Sequence, residues 1–417
     1  MRLLAFRIGL LFIFVRFSLL HEVLAYMFDV NTYILLILGA ISVTGVVITG
    51  GIRRTLRHRS TIFWALFAAW IGICIPFSSW PTDSVSLVTW VCKTELPVMF
   101  VVAGLAVTWK EFKQILYTLA AALLVNEASS RMFSDESGRL GLGFGSIGNA
   151  NDYAAHLLMM LPFALFMVLK SGRGVVRKIF FALVFLAGLF LAAKTGSRGA
   201  MLAAVACVIL IFVKGTRVMR MACLIGVPVF LAVILVALPT STLMRYATLF
   251  GEHDTEQIIT NEAAGSQATR TYLLKTSLKF TFTHPIFGIG PGQFSNMEGL
   301  TAKENGFRGA WQVSHNSYTQ ASSEAGIPAL ILMLIGLVSG FRLLSSIHRQ
   351  ARANPQFRDI QAAAFCLMLA MTAFCTACLF LSMAYRFYMP AICGLAVCFA
   401  FAARREFARA ALLRPAA

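Results

Sequence analysis

Long apolar runs separated by short, often basic turns recur along nearly the whole chain. Stretches able to cross a bilayer, or close to it, lie near residues 8–24, 33–50, 61–77, 86–107, 112–127 and 152–169. Six more lie near 177–193, 199–213, 219–238, 325–344, 360–382 and 386–402, the fifth and eighth of the twelve being short. Backbone polar groups cannot face lipid unpaired, so each run is expected to be a helix. The pattern predicts an all-α, polytopic membrane protein of about twelve transmembrane helices. One region breaks it: 240–324 is too polar to span and too long for a simple connector. The chain therefore divides into helices one to nine (1–239), a loop domain with amphipathic helices (240–324), and helices ten to twelve with a tail (325–417). Arg16 interrupts the first run and no small-x-small site follows at once, so that run reads as a retained helix, not a cleaved leader.

Composition agrees. Of 417 residues, 58% are hydrophobic and 13% charged, and the mean hydropathy is +0.76, too apolar for a soluble surface of this size. The net charge of +18 would suit nucleic acid, but its placement says otherwise. With the N-terminus in the cytoplasm, 23 of the 36 basic residues fall in cytoplasmic segments that hold three acids, Glu111, Asp359 and Glu406. That is the positive-inside pattern: both termini cytoplasmic, the 240–324 loop on the outer side, and no nucleic-acid partner. The nine cysteines all lie in apolar runs, Cys375-x-x-Cys378 included, and read as small packing residues.

A few outer-side groups stand apart from the topology-setting charges. Lys194, Ser197 and Arg198 flank a Gly196/Gly199 turn where basic residues are scarce, which favours a phosphate-binding role over a snorkelling anchor. Arg270 opens an amphipathic stretch in which Leu274, Leu278 and Phe282 recur at helical spacing, as suits a bland interfacial helix or a functional one. His315 heads a polar cluster with Asn316, Ser317, Tyr318, Gln320 and Glu324, and its imidazole can take a proton from a hydroxyl near neutrality. Asn149 and Asp152 are expected to cap the sixth span, and His156 within it to be a satisfied polar contact. The acidic clusters Asp135-Glu136 and Glu252–Glu256 lack a turn that would converge ligands on a metal, so no metal site is expected. No Walker loop, nucleophile elbow or kinase signature is present.

Taken in order, these motifs resemble the O-antigen ligase and polymerase superfamily. The resemblance is carried by Gly148-Asn149-x-Asn151 before a span and by Gly196-Ser197-Arg198-Gly199 at an outer turn. It continues through an Arg270-led helix running into His284-Pro285-x-x-Gly288-x-Gly290, and His315-Asn316-Ser317-Tyr318 ahead of Glu324-x-Gly326-Ile327-Pro328. It covers the second half of the chain; the first five spans match only as hydrophobic helices. Ala150 stands where the family often has Pro, and Thr319 and Ala329 where it often has Leu and Gly. The resemblance implies a bacterial inner-membrane enzyme whose active site faces the periplasm. Its donor would be an undecaprenyl-diphosphate-linked O-antigen and its acceptor the lipid A-core oligosaccharide, with membrane lipid around both and no cofactor. Arg198 and Arg270 would hold the diphosphate and His315 would act as general base. Lys194, Ser197, Asn316, Tyr318 and Gln320 would bind substrate, and a direct displacement would invert the anomeric centre. A polymerase of the same superfamily is the alternative. In another class stands a secondary transporter, to which Lys93, Glu95 and Pro97 in the fourth span give some footing.

Overall fold

The computed structural model describes residues 2–130, 132, 139–172, 174–247, 257–306 and 308–412. Among them there is helix and no strand. In chain order the helices are α1 (Arg2–Ser18), α2 (Leu20–Phe28), α3 (Ile34–Ile48), α4 (Gly51–Thr55), α5 (Arg59–Ile73) and α6 (Pro81–Trp90). They continue with α7 (Leu96–Gly104), α8 (Trp109–Ser129), α9 (Ala150–Leu169), α10 (Val175–Lys194), α11 (Arg198–Lys214) and α12 (Arg217–Ala237). The last six are α13 (Thr240–Ala247), α14 (Gln257–Thr283), α15 (Phe294–Glu304), α16 (Ser317–Arg352), α17 (Arg358–Ala377) and α18 (Tyr388–Leu412).

Each of the twelve apolar stretches falls on a helix. Among the described residues, six helices are long and apolar enough to cross a membrane: Pro81–Gly104, Ala150–Leu169, Val175–Lys194, Arg217–Ala237, Ser317–Arg352 and Pro355–Phe380. The α1–α2 pair, bent by 64°, makes a seventh if it is one span. α3 and α5 are shorter apolar helices, α11 has 17 residues, and α8 carries Lys110, Glu111, Lys113 and Glu127. The protein is thus an all-α polytopic membrane protein.

Three departures from straight spans have local causes. Leu19 adopts a left-handed backbone (φ 56°) between α1 and α2, and the preceding Ser18 Oγ accepts the Leu20 N–H at 3.3 Å. In the fourth span α6 and α7 are joined by a π-helical turn, Val91–Glu95, just before Pro97, whose missing N–H cannot continue an α-helical ladder. In α16 the helix breaks at Ala325 and Gly326. Gly326 has φ 79°, and a Cβ there would lie 1.9 Å from the Ile286 carbonyl oxygen, so only glycine fits.

α9, α17 and α18 form the centre of the bundle, with Tyr153, Phe163, Phe166, Phe374, Tyr388 and Phe399 fully buried. α9 packs on α8, α10 and α17; α16 packs on α5, α14 and α17; α18 packs on α7. α12 is the opposite case and buries no residue. Glu95 accepts a hydrogen bond from Arg16 Nη2 at 2.7 Å and from the Phe387 N–H at 2.6 Å, and the Arg16 guanidinium lies 4.3 Å from the Phe387 ring centroid. Glu95 is therefore a buried brace joining α1, the π turn and the entry to α18, while Lys93 is exposed. Of the three residues that gave a transporter its footing, Glu95 is thus paired inside the bundle and Lys93 lies at the surface.

Candidate active site

The loop region between α12 and α16 folds back onto the end of the bundle where α9, α11, α16 and α18 begin. Its anchor is a backbone-to-backbone contact between two of the sequence motifs. The Ile289 N–H donates to Ser323 O (2.9 Å), Gly290 N–H to Glu324 O (2.9 Å), and Ile327 N–H to Pro285 O (2.8 Å). The Glu324 carboxylate is buried and accepts the N–H groups of Gly292 (2.7 Å) and Phe294 (3.4 Å), which open α15. Glu324 was expected beside His315; the structure places its hydrogen bonds on the Gly288–Gly292 loop instead. His315 stands ahead of α16, so helical offsets within α16 do not carry to it.

Arg198 starts α11. Ser197 caps that helix, its Oγ accepting the Ala200 N–H at 3.4 Å, and is itself buried. The turn before it is tied down from two sides. Arg139 Nε donates to Thr195 O (2.9 Å) and its Nη2 to Asn151 Oδ1 (3.2 Å), while Tyr246 OH of α13 donates to Ala193 O (2.7 Å). Arg198 Nη1 reaches Gln267 Oε1 on α14 at 3.3 Å. Lys194 projects, exposed, from the last turn of α10.

Arg270, one turn beyond Gln267 on α14, is half-buried in a narrow cleft shared with Asn151, Ser197, Gly199, Ala200, Phe380 and Leu381. Its guanidinium makes no hydrogen bond or ion pair with any described residue. Arg198, Arg245 and Asp152 are all close enough for their charges to act on it. Burial, and next the Arg198 charge, lower its pKa from the ordinary arginine value, yet a guanidinium stays protonated at any physiological pH. The result is a fixed cation with like charges beside it and no bound acid, an arrangement that an anion would relieve.

His315 completes the group. Its backbone is left-handed (φ 51°), and its N–H donates to Ser382 Oγ at 2.9 Å. The ring is half-buried, and its nitrogens have no hydrogen-bond partner among the described residues. Burial, then the neighbouring Arg270 charge, push its pKa down to about 4, so the imidazole is neutral and able to accept a proton. The polar residues after it are engaged with backbone. Asn316 Oδ1 caps α16 by accepting from Tyr318 N (3.0 Å) and Thr319 N (3.1 Å). Tyr318 OH donates to Cys375 O (2.8 Å), and Gln320 Oε1 accepts from Ala384 N (3.2 Å). Ser317 Oγ donates to Leu381 O (2.6 Å) and accepts from Met383 N (2.8 Å). Together they fix the turn between α17 and α18 that supplies Ser382.

Arg198, Arg270 and His315, far apart in sequence, thus gather at one end of the bundle. Arg245, Arg386 and Asp152 were not expected there. Asp152 accepts a hydrogen bond from the Asn149 side chain and lies within electrostatic reach of Arg270 and Arg386. Asn149 caps α9, accepting from Asn151 N (3.0 Å) and Asp152 N (2.9 Å). The signal for both arginines was present, since each is a basic residue on the basic-poor side. Arg386 was hidden because the apolar run 386–402 absorbed it. His156 is apart from the site, buried with Nε2 between Asn126 Nδ2 (2.8 Å) and Phe17 O (3.1 Å). The clusters Asp135-Glu136 and Glu252–Glu256 lie outside the described residues.

The helical bundle thus gathers cations and an imidazole at one of its ends. A family model described as O-antigen ligase matches residues 183–334, a little over a third of the chain and the part that supplies Arg198, Arg270 and His315. That stretch of the chain is similar to the O-antigen ligase family. No curated protein matches it.

Proposed function

We propose that this chain is an O-antigen ligase, transferring polysaccharide from undecaprenyl diphosphate to a sugar hydroxyl of lipid A-core on the periplasmic side of the bacterial inner membrane. The observation that carries the reading is the Arg270 guanidinium, charged and uncommitted beside Arg198, with the unpartnered His315 imidazole in its field. Arg270 and Arg198 bind the donor diphosphate bidentately and stabilise the charge that grows on it as it leaves. His315 accepts the proton of the acceptor hydroxyl while that oxygen attacks the anomeric carbon. The new C–O bond forms as the bond to diphosphate breaks, the electron pair departs with the diphosphate, and the single displacement inverts the centre. Guanidinium groups serve here where a divalent ion serves elsewhere. Arg245 and Arg386 add to the field, and exposed Lys194 meets the donor headgroup. Ser197, Asn316, Tyr318 and Gln320 act on substrate by shaping the walls around it, since their polar atoms already hold backbone.

The test is transfer between purified donor and acceptor lipids in detergent with chelator present. Arg198→Ala, Arg270→Ala and His315→Ala are each expected to lose roughly 100-fold or more in turnover. Undiminished turnover in all three would end the reading. The superfamily alone leaves ligase and polymerase together, and cells separate them. Loss of a ligase leaves bare core; loss of a polymerase leaves core carrying one repeat unit.

A further inference from the structure

Trp311 combines exposure with rigidity. The residue is 53% exposed, yet its backbone is held in the left-handed region (φ 52°), a strained state for a bulky residue. A buried carboxylate imposes that state. Glu298, fully buried on α15, accepts the Trp311 N–H (2.7 Å), the Ala310 N–H (3.0 Å) and the Tyr272 hydroxyl of α14 (2.9 Å). The ring lies over Gly299, where an added Cβ would stand 2.2–2.5 Å from Cδ2, Cε2 and Cε3. Those three atoms surround the ring fusion, so Gly299 sits beneath one face of the indole. The opposite face has no aromatic or cationic partner among the described residues.

The chain then runs four residues to His315, which is strained in the same way (φ 51°). Four extended residues span at most about 14 Å, so the two strained backbones stand no further apart than the length of a few sugar rings. Strained backbone persists where surrounding structure over-determines it, and it clusters at functional sites.

We infer that Trp311 is a stacking platform for a pyranose ring of the glycan whose transfer His315 assists. The inference rests on the transferase reading above. An indole face is electron-rich, and one face of a pyranose presents polarised C–H bonds to it while its hydroxyls stay in water. Because Glu298 and Gly299 already fix the ring, binding forfeits little side-chain freedom. The ring belongs to the donor glycan or to the acceptor oligosaccharide, two sources of one chemistry.

The experiment is steady-state transfer by the full chain in detergent, varying donor and acceptor separately, for wild type, Trp311→Phe, Trp311→Leu and Trp311→Ala. Trp311→Leu keeps an apolar side chain over Gly299 and removes the π face, and its melting temperature is compared with wild type. A stack worth 0.5–1.5 kcal/mol predicts a roughly 2- to 13-fold rise in one KM for Trp311→Leu and Trp311→Ala, with kcat within about twofold. Trp311→Phe should keep most of the affinity, and the substrate whose KM moves owns the ring. Unchanged KM for both substrates would overturn the inference and leave Trp311 as a membrane-interface residue. A fall in kcat alone would also overturn it, marking a support for His315. A wild-type protein without transfer would refute the transferase reading itself, a result distinct from either.

Discussion

Ser382 Oγ accepts the backbone N–H of His315 at 2.9 Å, so the turn after α17 holds the residue whose imidazole lies in the field of Arg270. Ser382 touches no reacting atom; it positions one. Ser382→Ala removes the bond to the His315 N–H, worth about 0.5–1.5 kcal/mol, together with a longer contact to Ser314 Oγ at 3.4 Å. Turnover should fall roughly 2- to 13-fold with both KM values nearly unchanged. Ser382→Thr keeps the acceptor and should restore most of it. An unaltered kcat in Ser382→Ala would mean that the left-handed backbone at His315 is secured by other contacts.

Arg270 and Arg198 should respond differently to loss of fork geometry. Lysine keeps the charge but grips a phosphate as a point, without the paired N–H groups. Arg270→Lys is expected to lose about tenfold in kcat/KM for the donor and Arg270→Ala a further tenfold or more. Arg198→Lys should be milder, because its guanidinium also holds Gln267 at 3.3 Å. The double alanine variant should fall short of the summed effects, since both groups act on one diphosphate. Full additivity would place them on separate anions.

The pH profile carries a sign that can be checked. His315 is depressed to about 4 by burial first and by the Arg270 charge second. In enzyme without donor it therefore loses its base function only as pH falls through about 4, and kcat/KM for the donor should be flat above roughly pH 5. Bound diphosphate neutralises the Arg270 field and leaves the burial, so the acid limb of kcat at saturating donor should move to higher pH. A limb near the ordinary histidine value of about 6.5 in donor-free enzyme would contradict the environment described here.

Glu324→Ala should act on stability before activity. It strands the N–H groups of Gly292 and Phe294 in a buried setting, at about 1–3 kcal/mol for each that finds no partner. Thermal unfolding in detergent should show a clearly lowered Tm, with Glu324→Gln, which keeps one acceptor, in between. A Tm equal to wild type would show that water replaces the carboxylate there.

Hydropathy made the spans legible because lipid leaves no alternative to helix for a long apolar run. It could not show the bend at Leu19 or the π turn before Pro97, because an apolar run reads alike whether its helix is straight or broken. Arg198, Arg270 and His315 stood out as polar groups on the side where basic charge is scarce. Arg245 carried the same signal within the 240–324 loop but stood in no motif, and Arg386 was absorbed by the apolar run 386–402. Asn316, Tyr318 and Gln320 were visible as a cluster, but not that their polar atoms would be taken up by Tyr318 N, Cys375 O and Ala384 N. A sequence shows which groups can donate or accept, and only the fold shows whether main chain has already claimed them.

The contact between Ile289–Gly290 and Ser323–Glu324 also bears on how such enzymes can be recombined. The arginine of α14 and the histidine ahead of α16 are stitched together by main chain, with Gly326 allowing the close approach. Grafting a foreign segment onto only one side of that seam would mismatch its partner, whatever side chains it brought. A functional chimera should therefore exchange the stretch from Arg270 through Pro328 as one indivisible cassette.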